Sequence, residues 1–308
     1  MSEPLVRVQD FQKCYAGVPA VKGISFEVNQ GEIFALLGPN GAGKTSTLES
    51  LEGLRRPDGG SLSVAGIDPV RNPRRLASVI GVQLQSSALP PAMTVEEAMT
   101  FFCTYHRVRV RQDLIERLGL GEKRRSQYGL LSAGQQRRLA LAIAVAHEPR
   151  VLFLDEPTAG LDVQSRAELH DLVRELGRRG TTILLATHDM AEAEKLAGRA
   201  AILLAGKLAA LGSPRQLTAA GSRQTRISVA TEQGLLLREP ASFPGAQPAG
   251  SSEGYALFLS SEPGRAVSAI LAWLDSRGDP LVDLRVERPT LEERFLEITG
   301  SGGKGGKA

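Results

Sequence analysis

Five apolar residues, Ile33-Phe34-Ala35-Leu36-Leu37, run straight into Gly38-Pro39-Asn40-Gly41-Ala42-Gly43-Lys44-Thr45. A short unbroken apolar run flanked by glycine predicts a strand buried on both faces, as in a parallel sheet. Parallel neighbours need crossover connections, which constrains the chain to α/β architecture. The turn that follows satisfies G-x-x-x-x-G-K-[ST] and opens a helix expected over Lys44 to Leu54. Glycines there let successive backbone N–H groups converge on a dense negative charge, and the helix adds the positive end of its dipole. Lys44 is placed for the β- and γ-phosphates of a triphosphate, and the Thr45 hydroxyl for Mg²⁺.

Two more buried strands are expected at Val151 to Leu154 and Thr181 to Ala186, separated by a helix over Val163 to Leu176. Strand, helix, strand at this spacing is a βαβ unit. Asp155 ends the first of these strands, where a metal-holding carboxylate belongs beside such a loop. Glu156 follows it, placed to orient and deprotonate an attacking water.

The remaining elements are read from weaker signals. Leu5 to Val8, the alternating Val21 to Val28, and Ile80 to Leu84 read as strands, and Pro57-Asp58-Gly59-Gly60 as a turn. The stretch from Thr94 to Ala146 reads as mainly helical. Thr94 with Glu97 has capping-box spacing, and Ser132 is placed to cap a long helix ending near Ala146. After Pro214 the pattern changes. Residues 239–254 read as a Pro/Gly/Ser-rich loop among weak strands at Thr225 to Ala230, Tyr255 to Ser260 and Leu281 to Val286. Helices are expected over Arg265 to Leu274 and Leu291 to Ile298.

Composition narrows the options. The longest apolar stretch, Leu139 to Ala146, is far short of the roughly 20 residues a membrane helix needs. The formal charge of +3 is too small to imply nucleic acid. Cys14 and Cys103 lack metal-type spacing and read as two small buried hydrophobes.

The string Leu130-Leu131-Ser132-Ala133-Gly134-Gln135-Gln136 just before VLFLDEP resembles the signature of the ATP-binding cassette ATPases. The resemblance runs from about Leu5 to Pro214. It implies that Gly38, Pro39, Asn40, Gly41, Ala42, Gly43, Lys44, Thr45 and Ser46 bind ATP and that Tyr15 stacks on adenine. Gln85 would contact Mg²⁺ and water, in preference to Gln83, and His188 would touch the γ-phosphate. Thr45, Gln85 and Asp155 would hold Mg²⁺, with Glu156, His188 and Gln85 catalytic. Ser132, Ala133, Gly134 and Gln135 would act on the ATP of a second subunit. Gly160, Leu161 and Asp162 would form the loop that crosses to it. Ala133 departs from the family's glycine, and Val163 from a common proline. The ending Pro289 to Gly300 resembles exporter ATPases of the drug-resistance type.

The implied architecture is a P-loop core with a mainly parallel sheet, an antiparallel β subdomain, a helical subdomain at about 86–148, and a small α/β carboxy-terminal domain. Expected boundaries are 4–220 for the cassette, 221–300 for the appendage and 301–308 for a disordered tail. The implied assembly is a homodimer on a separate integral-membrane permease, at the cytoplasmic face of the membrane, with no direct nucleic-acid partner. Leu89 or Met93, in the segment from Ser86 to Tyr105, is expected to stay exposed for permease contact. Two other readings remain open: a soluble cassette ATPase acting on ribosomes or DNA, and an importer subunit.

Overall fold

A computed structural model describes residues 4–85, 89–219, 224–239 and 241–302. The chain divides into two compact units, Met1–Pro214 and Arg215–Ala308. The sequence reading put the change at 220/221; residues 220–223 lie outside the described ones.

In the first unit the elements run β1 (Pro4–Tyr15), β2 (Val18–Asn29), β3 (Ile33–Leu37), α1 (Lys44–Leu51), β4 (Gly59–Val64), α2 (Pro73–Ala77), β5 (Ile80–Gln83) and α3 (Val95–Tyr105). They continue as α4 (Gln112–Arg117), α5 (Ala133–Val145), β6 (Val151–Asp155), α6 (Val163–Arg178), β7 (Thr182–Thr187), α7 (Met190–Leu196), β8 (Arg199–Leu204) and β9 (Lys207–Gly212). A short helix, α8 (Pro214–Ala219), follows.

The central sheet has the order β5-β6-β7-β3-β8-β9 and is parallel except for β9, which runs antiparallel to β8. Its inner strands feed two cores by alternation. Leu152, Leu154, Ile183 and Leu185 face a core shared with α3 to α6, whereas Phe153, Leu184, Phe34 and Leu36 face a core shared with β1 and β2. Burial on both faces is why the IFALL and VLFL runs carry no polar residue. The second core is roofed by an antiparallel sheet of order β2-β1-β4, and Phe26 of β2 stacks on Phe34 of β3 at 5.2 Å.

Both helix caps expected from sequence are present. Thr94 and Glu97 form a reciprocal capping box on α3, and Ser132 and Gln135 do so on α5. Helix α1 stops at Leu51 rather than Leu54, because the N–H groups of Leu54 and Arg55 turn back to the Glu49 carbonyl. Asp58 precedes a strand, β4, rather than a plain turn.

The second unit contains β10 (Thr225–Thr231), α9 (Leu235–Arg238), β11 (Gln247–Ser252), β12 (Tyr255–Ser260), α10 (Pro263–Arg277), β13 (Leu281–Glu287) and α11 (Leu291–Gly302). Its strands form one antiparallel sheet of order β11-β12-β10-β13. Ala266, Ile270 and Leu274 of α10 pack on Ile227, Val229, Ala256 and Phe258 as a separate core. Strand β11 replaces the loop expected there. All six of its residues are exposed, so it is held by backbone pairing to β12 and leaves no apolar alternation to read. Helix α11 extends through Gly302, into the segment expected to be a disordered tail; residues 303–308 lie outside the described ones.

Cys103 is buried as expected, but Cys14 is exposed, near the turn of the β1–β2 hairpin, where it pairs with Pro19. Among the described residues no helix is long and apolar enough to cross a membrane.

Candidate nucleotide site

The turn between β3 and α1 bends too sharply for side chains at two positions. At Gly38 (φ 150°) a Cβ would meet the Leu203 carbonyl at 2.3 Å. At Gly43 (φ 104°) it would meet Val21 Cγ2 at 2.9 Å and the Ala20 carbonyl at 3.0 Å. The loop is therefore a bare-backbone cradle wedged between β8 and the start of β2. It opens on a cavity of about 380 Å³ lined by Tyr15, Ala20, Asn40, Gly41, Gly43, Lys44, Thr45, Ser46, Gln85 and Glu156.

Lys44 is buried, and its ammonium donates to the carbonyls of Gly38 at 2.8 Å and Pro39 at 3.3 Å. It lies 3.7 Å from Glu156 Oε1. Burial pushes its pKa down, and the charges of Glu156 and Asp155 pull it partly back. Asp155 ends β6, buried beside Thr45 and Lys44. Burial pushes its carboxyl up, a hydrogen bond from Thr45 opposes that, Glu156 adds to it and Lys44 opposes it. Asp155 Oδ1 is buried without a hydrogen-bond partner.

Glu156 sits where the chain leaves the sheet, with φ of 47°. A non-glycine residue there costs roughly 1 kcal/mol, and such strain persists where the surroundings over-determine it. Two contacts do so: its N–H donates to the Ala186 carbonyl at 2.9 Å, and its Oε2 lies 2.8 Å from His188 Nδ1. His188 is itself 60% exposed, so this pair reaches from the buried carboxylate to the surface.

Tyr15 projects from the end of β1. Its hydroxyl donates to Ser46 Oγ at 3.2 Å, and its ring faces Lys13 and Arg55 at 5.3 and 5.8 Å. Gln85, just past β5, lines the cavity, whereas Gln83 is buried in the strand with neither amide atom bonded. Gly38, Pro39 and Ala42 belong to the loop but do not line the cavity, and neither does His188.

The signature residues do not line this cavity. Ser132 and Ala133 are exposed at the start of α5, so the methyl of Ala133 meets no packing obstacle. Gly134 is buried, where a Cβ would come 3.1 Å from Ser165 Oγ. Gln135 is occupied in the capping box. In the loop before α6, Gly160 (φ 74°) and Asp162 are at the surface, but Leu161 packs into the helical core. Asp162 caps α6 by accepting from Ser165 N at 2.9 Å and Ser165 Oγ at 2.7 Å.

Sequence reasoning missed Ala20, whose carbonyl backs the cradle, and Glu52, at the end of α1. Burial, with Asp155 and Glu49 nearby, raises the Glu52 carboxyl to about 8. Glu52 also lines a second, largely apolar groove of about 300 Å³ with Leu84, Phe102, Tyr105, His106 and His147. Leu89 and Met93 are half-buried, packed against the helical core, instead of exposed; the exposed aromatics of α3 are Phe101 and Tyr105. Residues 86–88 lie outside the described ones.

The sequence profile of the family described as ABC transporter matches residues 21–159. A daunorubicin resistance ATP-binding protein of Streptomyces coeruleorubidus is 36% identical over 307 residues, covering 97% of each chain. A linearmycin resistance ATP-binding protein of Bacillus subtilis is 31% identical, over 96% of this chain and 98% of that one. A Nod factor export ATP-binding protein of Burkholderia pseudomallei is 43% identical over 70% of this chain and 73% of that protein. A solved ATP-binding subunit of an ABC transporter superposes with a TM-score of 0.65 at 26% identity, covering 69% of this chain and 91% of that one. Carrying the phosphate-cradling loop in this fold and matching such relatives along nearly its whole length, the chain belongs to the ABC transporter family, as an ATP-hydrolysing subunit.

Proposed function

We propose that this subunit powers export through a separate integral-membrane permease, from the cytoplasmic face of the membrane, with a drug-like or lipid-like molecule as cargo. The observation that carries this reading is similarity over 97% of the chain, second unit included, to a protein named for daunorubicin resistance. The other relatives described above are also named for resistance or export. The ribosome- or DNA-directed and importer readings have no comparable support.

In this reading ATP enters the cavity with its adenine on Tyr15 and its phosphates in the Gly38 to Ser46 cradle. Lys44 exchanges its carbonyl partners for phosphate oxygens. The residues at hand fit Mg²⁺: Asp155 offers a buried, unpartnered oxygen, and Thr45 and Gln85 offer neutral oxygen donors. When bound, the ion draws charge from the β- and γ-phosphate oxygens. Glu156 accepts the proton of the attacking water, and His188 steadies it from the surface side. Because Ser132, Gly134 and Gln135 lie outside the cavity, a second subunit supplies them in a two-fold, head-to-tail dimer. Gly160 and Asp162 lie at the surface, where they can reach that partner. The permease docks in the groove between α1, β5, α3 and α5, where Tyr105 is 68% exposed and beside which Phe101, 58% exposed, packs edge-on against the lining Phe102.

Glu156→Gln tests the core of this reading, since it keeps the shape and removes the proton acceptor. The variant should bind ATP, lose nearly all turnover and elute as a dimer with ATP but not ADP. Wild-type turnover, or a nucleotide-bound variant that stays monomeric, would count against it.

A further inference from the structure

The nucleotide cradle uses one end of the parallel sheet. At the other end, where β6 and β7 begin, the first unit holds a cavity of about 350 Å³. Its walls come from α4, the turn from α5 into β6, the last turns of α6 and the residues leading into β7. Arg150 immediately precedes β6 and Asp155 ends it, so roughly 16 Å of extended strand separates this cavity from the phosphate site.

The floor is apolar. Leu114, Val145 and Leu172 are buried members of the helical core, and Leu176 packs against it. The rim is cationic, with Arg111, Arg117, Arg150 and Arg179. Three carboxylates answer these four guanidinium groups. Arg111 holds Asp113 and Glu148, each at 2.8 Å, and Arg117 and Arg179 share Glu175. Among the described residues Arg150 has no carboxylate partner.

Side-chain alternation gives the direction of Arg150. Leu152 and Leu154 of β6 face the helical core, and Arg150 has the same parity, so it projects to the side of the cavity floor. Thr181 stands beside it by the same rule. Ile183 and Leu185 of β7 face that core, and the neighbouring Thr182 N–H donates to the Arg150 carbonyl at 3.1 Å. The half-buried Thr181 lines the cavity too, its hydroxyl bonded to no other described residue, which makes it a second unengaged donor over the same floor. Glu148 is the most replaceable acid of the rim. Its side chain is 80% exposed, and it bonds an Arg111 that already holds Asp113 through two N–H groups. Its place on that guanidinium is open to another anion.

We propose that this cavity binds an organic monoanion, a single carboxylate on an apolar body, with Arg150 and Thr181 on the carboxylate and the leucines and valine of the floor beneath the body. One surplus cation calls for one negative charge, and a guanidinium takes a carboxylate through two parallel N–H donors. The volume lies at the lower end of the roughly 300–1,000 Å³ of small-ligand sites. The bound molecule bridges α4 and α5 to α6 and β7. The site stands apart from the phosphate cradle and does not depend on the export reading, so the anion and ATP bind together.

The test is calorimetric titration of the full chain with three probes of one chain length: octanoate, octan-1-ol and octylammonium. Octanoate should bind saturably, one per chain, with a Kd on the order of 0.1–1 mM. Octan-1-ol should bind at least about tenfold more weakly, and octylammonium not at all. Arg150→Gln should weaken octanoate about tenfold or more. Glu148→Gln, which removes the competing carboxylate, should tighten it about threefold. Both variants should keep the ATPase activity of the wild type, which shows that they fold. Saturating ATP should leave octanoate affinity unchanged. No saturable binding, octan-1-ol binding as well as octanoate, or an Arg150→Gln chain that binds octanoate like wild type overturns the site. Displacement of octanoate by ATP does so as well, since it puts the probe in the nucleotide cavity. The two substitutions are expected to act in opposite directions, so a general loss of structure cannot imitate the result.

Discussion

At the scale of single residues, the site is set by a buried cation among carboxylates. Lys44 has Glu156 and Asp155 as its near charges and two backbone carbonyls as its bonds. Hydrogen bonds to charged groups contribute about 1.5–3 kcal/mol, so Lys44→Ala should weaken ATP binding about 10- to 100-fold as well as stop turnover. Titration with labelled ATP at fixed Mg²⁺ checks this, and unchanged affinity would show that the loop does not hold phosphate through Lys44. The residues of this cradle are contiguous, so their spacing in the sequence already carries their geometry. Gln85 was separable from Gln83 by its place just past the strand. Ala20 was not legible, because it contributes a carbonyl, and the contact with Gly43 that reveals it exists only once β2 folds beside the loop. Leu161 was read as crossing to a partner, yet nothing in Gly160-Leu161-Asp162 says which way the middle side chain turns.

At the scale of elements, legibility followed burial. Strands β3, β6 and β7 serve two cores and announce themselves as apolar runs, whereas β11 is wholly exposed and reads as loop. Between these extremes lies α3, whose aromatics were visible while their outward direction was not. It offers Phe101 and Tyr105 to solvent. Phe101→Glu or Tyr105→Glu should reduce co-purification with the permease while leaving the ATPase activity of isolated subunits near wild type. Retention of full co-purification would move the docking surface elsewhere. The same helix is tied to α5 by an imidazole pair: His106, the C-cap of α3, stacks on His147 with ring centroids 3.8 Å apart. Burial lowers the pKa of both below the ordinary 6.5; in His147 the proximity of His106 lowers it further, while a bond to the Ile80 carbonyl opposes. A depressed folded pKa gives stability that is present above the ordinary value and is lost as pH falls through the folded one. The Tm should therefore decline below about pH 6.5. His106→Phe, which keeps an aromatic ring in the stack, should flatten part of that decline. An unaltered pH slope would exclude the pair as its source.

At the scale of the whole molecule, the division of labour follows the two cores of the first unit and the one of the second. Every residue that lines the nucleotide cavity lies between Tyr15 and Glu156, and Asp155 and His188 belong to the same unit. The hydrophobic clusters around them contain no residue beyond Leu208, and the cluster of the second unit begins at Ile227. Ending the chain just after Pro214 should thus leave a first unit that folds and binds ATP with the affinity of the full chain. Folding is read by far-UV circular dichroism and a cooperative melt, and affinity by labelled ATP. Resistance relatives match this chain over both units. The truncated chain should accordingly fail in transport reconstituted with the permease while its nucleotide affinity is unchanged. A truncation that melts cooperatively yet binds no ATP would show that the second unit reaches into the nucleotide site after all.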